Sequence, residues 1–373
     1  MSPRNLIDRA FDVLARRIDG PLMATLVVLG ALSLAVVFSA SGQSVDRTLG
    51  QARNFAFALI VLWVAANVPP QQLMRLAIPI YIGGLLLLLG VEFFGFSRNG
   101  AKRWLNLGVI TIQPSEIMKI GVPLILAWYF HRKEEGLAFK DFLVAGLILI
   151  VPTVLIQKQP DLGTAILIFS SGFFVIFLAG LSWRVITITS ISGIVALPIV
   201  GPLIWPLLKE YQRNRVLTFI DPSNDPLGAG YHITQSTIAI GSGGVLGKGW
   251  FNGTQSQLDF IPERSTDFIL AVFGEEFGLV GLLLLLTLYM IVIGRGLMIA
   301  MNAPTTFSRL MAGAVTLTFF AYAFVNVGMV TGVLPVVGVP LPLISYGGTA
   351  IMSMFMGFGI LMSISSHKRL VST

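Results

Sequence analysis

The sequence predicts an all-α integral membrane protein, a bundle of ten transmembrane helices with a large loop between helices seven and eight. Three observations predict it. Of the 373 residues, 55% are hydrophobic and only 12% are charged, the balance of a multi-span membrane protein rather than a soluble domain. Apolar runs of about 20 residues, the length that crosses a bilayer as helix, recur along the chain. They are too long, and too free of alternation, for barrel strands. One polar, glycine-rich stretch of 58 residues, 209–266, interrupts the series.

The spans fall at roughly 22–40, 53–69, 76–96, 115–130, 142–157, 164–181, 185–207, 267–293, 310–330 and 343–366. The first follows Arg4, Arg9, Arg16 and Arg17 as a signal peptide would. Its length of 19 residues and the many runs after it indicate an uncleaved span. The second is the weakest. The fourth opens with Glu116 and Lys119. The seventh is expected to break near Pro198, Gly201 and Pro202, because proline removes a backbone donor and kinks a helix. Asp267 opens the eighth.

Leu6, Ile7, Ala10, Phe11, Leu14 and Ile18 would share one face of a basic helix lying on the membrane surface. The chain thus reads as one polytopic membrane domain, 1–373, with an interfacial segment at 1–21 and a large extramembrane loop at 208–266. No internal repeat is visible, which counts against inverted-repeat transporters.

Ten spans put both termini on one side, and short-loop charge selects which. Arg4, Arg9, Arg16, Arg17, Arg75, Arg132, Lys133, Lys140, Arg184, Arg295, Arg309, Lys368 and Arg369 lie on the terminal side. Arg47, Arg53, Arg98, Lys102, Arg103 and Lys158 lie opposite. Thirteen against six places the termini in the cytoplasm and 209–266 outside.

Zero cysteines remove disulfides, thiol nucleophiles and thiolate metal sites. His131, His232 and His367 are too far apart in sequence for a local metal motif. The net charge of +7 fits loops facing anionic lipid better than nucleic acid. The glycine run 241–249 fails the phosphate-loop spacing. Ser242 stands six before Lys248, and Gly249 occupies the place of Ser or Thr. Close backbone approach accounts for it better.

Ionisable groups at membrane depth need a reason to be there. Glu116 and Lys119, three apart, share a helix face. They are either a neutralising pair or the wall of a polar cavity in which Lys119 meets a phosphate. Asp267 is either a helix-start carboxylate satisfying orphan amides or a general base at the lip of a span. The helix dipole would hold it ionised and so a weak base. Glu275 and Glu276 are adjacent and cannot share a face, so one is expected buried and paired. Arg98, Lys102 and Arg103, then Arg213 and Arg215, either anchor lipid headgroups or bind an anionic lipid-linked substrate.

These residues fall into ordered blocks. They are Lys102-Arg103-Trp104; Gln113-Pro114-Ser115-Glu116 with Lys119; Gln159-Pro160-Asp161-Leu162-Gly163-Thr164; and Asp221-Pro222-Ser223-Asn224-Asp225-Pro226. Then come Gly228-Ala229-Gly230-Tyr231, Gln235-Ser236, Pro262-Glu263-Arg264, Thr266-Asp267-Phe268, Pro340-Leu341-Pro342 and Ser345-Tyr346-Gly347-Gly348. Over essentially the whole chain they resemble the SEDS family (shape, elongation, division and sporulation). The stretch 248–257 with Pro262-Glu263-Arg264 resembles its elongation type rather than its division type.

The resemblance implies a peptidoglycan glycosyltransferase that polymerises lipid II outside the inner membrane. It implies Asp267 as the catalytic residue and the Glu116–Lys119 pair as part of the cavity. Candidate substrate-binding residues are Lys119, Glu116, Arg103, Arg213, Arg215, Asp161 and Glu263. It also implies magnesium or manganese, held partly by substrate pyrophosphate because the sequence clusters too few carboxylates. The implied partners are lipid II, the growing strand, a class B penicillin-binding protein and the elongation machinery. The alternatives are a lipid II flippase, or a scaffold that recruits a transpeptidase.

Overall fold

Helices dominate the computed structural model, which describes residues 17–98, 101–106, 108, 111–133, 136–221, 225, 228–258 and 260–367. The amphipathic segment expected at the N-terminus lies almost wholly outside the described residues, as do Lys368 and Arg369.

Helix α1 (Gly20–Ala40) begins where the Asp19 carboxylate accepts from the Leu22 N–H, with a proline in the first turn. Helix α2 (Val45–Asn67) is capped by Ser44 and carries Asp46 in its first turn, so it starts well before the expected 53. After α3 (Pro70–Phe94) comes an antiparallel sheet, β1 (Phe96–Arg98), β2 (Ala101–Asn106) and β3 (Thr111–Ile112), in that order. The all-helical expectation missed it. It occupies the polar link ahead of α4 (Pro114–His131).

Then follow α5 (Phe139–Lys158), α6 (Leu162–Leu178) and α7 (Trp183–Ile204). Helix α7 runs through Pro198 and Pro202 and ends in a 3-10 turn, Trp205–Leu207. The break expected there does not occur. Each proline deletes one backbone hydrogen bond, and the helical turns continue through both. No residue of α7 is buried.

The polar insert is folded. It holds α8 (Glu210–Ile220), α9 (Ala229–Ser242) and the single turn α10 (Thr254–Gln257), and α9 packs along α11 (Ile269–Met301). Helix α11 is interrupted at Gly278, whose φ of 61° and ψ of −161° are not helical. The glycine run seats itself in that interruption. Lys248 and Gly249 N–H donate to the Glu275 and Glu276 carbonyls at 3.0 and 2.9 Å, and Leu279 and Val280 N–H donate to Gly244 and Val245 at 3.0 and 3.1 Å. A Cβ on Gly247 or Gly278 would collide with the facing backbone, and both hold positive φ. These glycines serve backbone-to-backbone contact.

Both glutamates beside the break are buried, not one as expected. Lys248 Nζ pairs with Glu275 at 2.8 Å, and Ser39 Oγ donates to Glu276.

Helices α12 (Thr306–Val330) and α13 (Gly348–Ser366) complete the bundle, with α13 lying along α2. The tenth span was expected from 343, but Pro340 and Pro342 keep 340–347 irregular and α13 begins at Gly348. At the end remote from the insert, Arg295 forks onto Asp19 with contacts of 2.9 and 2.7 Å. That bidentate geometry ties α1 to α11.

Eight described helices are long and apolar enough to cross a membrane, and each coincides with an expected span. The other two expected spans are α6, which is shorter, and α4, which carries Glu116 and Lys119. The chain is a multi-pass membrane protein.

Candidate active site

Asp267 lies in the turn before α11. The helix cap is Phe268, without a side-chain bond, so Asp267 does not satisfy the helix-start amides. The helix-opening position expected for it is one residue pair too early. Its carboxylate is half-buried and has no hydrogen-bond partner among the described residues. It rests over Gly338, where an added Cβ would stand 3.4 Å from Oδ2. Burial, and then the charge of Glu263, push its pKa up to about 6. The sequence reading expected the opposite direction, from the helix dipole. Desolvation and a like charge outweigh that dipole here, and a carboxyl poised near neutral pH is a competent proton acceptor.

Glu263 is the exposed neighbour that supplies this like charge. It holds φ 49° and accepts from Thr266 Oγ1 at 2.8 Å. His232, from α9, places its ring 5.4 Å from that of Phe268. Burial lowers its pKa, opposed by Glu263 and Asp225. Asp267, Glu263, His232 and Asp225 thus form one run of electrostatically linked groups.

The Asp267 backbone is held firmly. Tyr346 N–H donates to the Ser265 carbonyl at 2.9 Å, Ser345 Oγ to Thr266 at 2.6 Å and Asn326 Nδ2 to Asp267 at 2.8 Å. The 340–347 loop is itself fixed from α1 and α2. Ser33 Oγ donates to Ile344, and Gln51 Nε2 donates to Ser345, at 2.8 and 3.0 Å.

The Glu116–Lys119 pair forms one turn of α4 with a 2.7 Å contact. Lys119 is buried, its ammonium 5.3 Å from the Tyr322 ring centroid, and Glu116 Oε2 is a buried oxygen without a hydrogen-bond partner. Tyr322 and Asn326 are four apart on α12 and share a face. The pair and the Asp267 turn are thus organised on successive turns of one helix. A small, mostly apolar cavity is walled by Lys119, Thr318, Tyr322 and Ser353, and Asp267 does not line it.

Arg103, on β2, joins the same assembly. Its guanidinium donates to the Pro160 carbonyl at 2.6 Å and pairs with Asp161 at 3.4 Å. Asp161 in turn caps α6 through Thr164 N–H. Gly163 presses against the Val337 carbonyl, beside the loop that carries Gly338. Arg213 turns elsewhere. Arg213 closes the α7–α8 corner by donating to Trp205 and Pro206 at 2.9 and 2.7 Å. Arg215, two residues on, lies on another face.

Asn326, Gln51 and Tyr322 escaped the sequence reading, and Ser345 and Lys248 entered it only within longer blocks, without these partners. Asn326 carried a signal, since an amide inside the apolar run of α12 needs a partner just as a charge does. The others have partners far away in sequence and gave none.

Whether the chain can hold a divalent ion is answered by its carboxylates. No group of three or more His, Asp or Glu converges among the described residues. Glu263 and Asp267 alone leave most of an oxygen shell unfilled. The described residues do not make an all-protein metal site.

The chain is similar over most of its length to known proteins. "Peptidoglycan glycosyltransferase MrdB" of Escherichia coli (strain K12) is 50% identical over 359 residues, covering 95% of each chain. "Peptidoglycan glycosyltransferase MrdB" of Helicobacter pylori (strain ATCC 700392 / 26695) is 35% identical, covering 92% of this chain and 88% of its own. The crystal structure of Thermus thermophilus rod shape determining protein RodA superposes with a TM-score of 0.70 at 27% identity, covering 94% and 97% of the two chains. A chain from "Structural coordination of polymerization and crosslinking by a peptidoglycan synthase complex" reaches 0.80 at 31% identity, covering 93% and 97%. The family model for FtsW, RodA and SpoVE, described as cell cycle protein, matches residues 20–370, and this chain belongs to that family.

Proposed function

We propose that this chain is a peptidoglycan glycosyltransferase that polymerises lipid II into β-1,4 glycan during cell elongation, releasing undecaprenyl pyrophosphate. Half identity to MrdB over nearly the full length supports the activity and the elongation role. The observation that carries the mechanism is the Asp267 carboxylate, unpartnered in its described surroundings, raised in pKa and mounted on a rigid turn.

The acceptor sugar's 4-hydroxyl gives its proton to Asp267 as its oxygen attacks the donor's anomeric carbon. The new C–O bond forms on the face opposite the departing pyrophosphate, so the centre inverts from α to β. Proton acceptance of this kind contributes about 10²–10⁴-fold, and orientation of two membrane-confined substrates supplies a larger share. Glu263 keeps Asp267 basic. Lys119 and Arg103 are the cations for phosphate, with Glu116 and Asp161 holding them in place. Arg213 and Arg215 act further out, on lipid headgroups or an approaching substrate. Magnesium or manganese, arriving with the substrate's pyrophosphate, would supply charge neutralisation there.

In this reading α4 and α6 also cross, giving ten spans in the bacterial inner membrane. Both termini are cytoplasmic, and Asp267 and the 208–266 region are periplasmic. Residues 1–21 lie at the cytoplasmic interface, and 1–373 form one membrane domain. The short-loop charge bias supports that orientation. A class B penicillin-binding protein would cross-link the product, a partnership supported by the likeness to a complex that coordinates polymerization and crosslinking. Purified chain in proteoliposomes, given lipid II and that partner with its own synthesis blocked, is expected to make glycan polymer. Transbilayer movement of lipid II without polymer would reject the reading.

A further inference from the structure

Three consecutive carbonyls, those of Ser265, Thr266 and Asp267, are each held from another element. Ser345 and Tyr346 hold the first two from a single loop. Asn326 differs, because its one nitrogen serves two segments. Nδ2 donates to the Asp267 carbonyl at 2.8 Å and to the Val339 carbonyl at 2.7 Å. Val339 follows Gly338, on which the Asp267 carboxylate rests. The amide therefore sets the spacing between the carboxylate's own backbone and the surface beneath it.

Few side chains can do this. A primary amide has two N–H donors in a fixed plane, whereas a carboxylate has none and a hydroxyl one. The arrangement is also unfavourable in one respect. Asn326 is fully buried, and its Oδ1 has no hydrogen-bond partner. Leaving a buried acceptor unsatisfied costs stability that an apolar residue of similar shape would not. A residue retained only for packing would not carry that orphan oxygen, so its two donors are its purpose.

We infer that Asn326 is a positioning residue for glycosyl transfer, bridging the Asp267 and Val339 carbonyls so that the carboxylate meets the acceptor hydroxyl. The inference rests on Asp267 being the base. Full-length Asn326→Leu and Asn326→Asp proteins are compared with wild type for lipid II polymerisation per folded molecule. Ser363→Ala serves as control. It removes a comparable side-chain bond, to the Val68 carbonyl at 2.6 Å, at the opposite end of the bundle.

The expected result is a kcat lowered about 10²-fold in both Asn326 variants, with KM within about 3-fold of wild type. Ser363→Ala should keep wild-type kcat. Wild-type kcat in either folded Asn326 variant overturns the proposal, as does activity that falls only in step with folded protein. An Asp267→Asn arm separates the two levels. If it retains turnover, the base assignment fails. If it is dead while the Asn326 variants are normal, only the positioning role fails.

Discussion

Lys119 Nζ and Glu116 Oε1 stand 2.7 Å apart inside the bundle, and each is the other's neutralising charge. Removing either strands a buried ion, which typically costs about 3–5 kcal/mol. Lys119→Ala is therefore expected to lower the folded yield and the melting temperature in detergent. The double variant Lys119→Met with Glu116→Gln should recover stability, because the stranded charge is gone. Its polymerisation should stay depressed with a raised KM, reflecting the lost phosphate contact. Recovery of both stability and wild-type KM would leave the pair a structural role only.

The pH profile follows from Asp267. A base must be ionised, so the rate should fall as pH drops through about 6, where its pKa is placed. Glu263 is the second cause of that elevation. Glu263→Gln should move the acid limb downward, toward the usual carboxylate range near about 4. Initial rates between pH 5 and 8 with lipid II well below KM, which report the free enzyme, measure it. A limb unmoved by Glu263→Gln would remove that residue from the site's electrostatics.

The same elevation has a cost in stability, with a definite sign. Folding favours the protonated carboxyl, so its contribution is complete below the unfolded value near about 4 and is lost as pH rises through about 6. Asp267→Asn carries no such loss. Its melting temperature should match wild type at acid pH, pull ahead between those values and stay ahead at neutral pH. Unfolding curves of the two proteins across that range decide it.

Gly247 faces the Glu276 carbonyl so closely that any side chain must displace backbone. Its positive φ adds strain of order 1 kcal/mol for an L-residue. Gly247→Ala should destabilise the protein and loosen the insert from α11, read as faster proteolysis within 243–258. Wild-type protease resistance would show that the glycine run is not what seats the insert.

How much of this was legible beforehand depended on whether the signal was local. Span positions were, because apolar length is a local property; the Ser44 cap and the prolines before α13 then moved individual ends. Asp267 stood out as a carboxylate where a long polar stretch meets an apolar one. The direction of its pKa was not legible, since helix-dipole reasoning cannot see Glu263 folded back beside it or the loop at Gly338 beneath it. The two carbonyls at the end of α7 that Arg213 holds were not legible either, because Trp205 and Pro206 meet it only through the corner that the fold makes. The interruption at Gly278 was hidden because a single glycine between Phe277 and Leu279 reads as uninterrupted span. Only the fold showed that 243–249 needed a gap to enter.

The most direct measurement is lipid II polymerisation by purified Asp267→Asn protein beside wild type, each with its transpeptidase partner and each verified as folded. The carboxamide keeps the shape of the side chain but cannot accept the proton, so glycan product is predicted to vanish while lipid II binding persists. Polymer made at a rate near that of wild type would contradict the account.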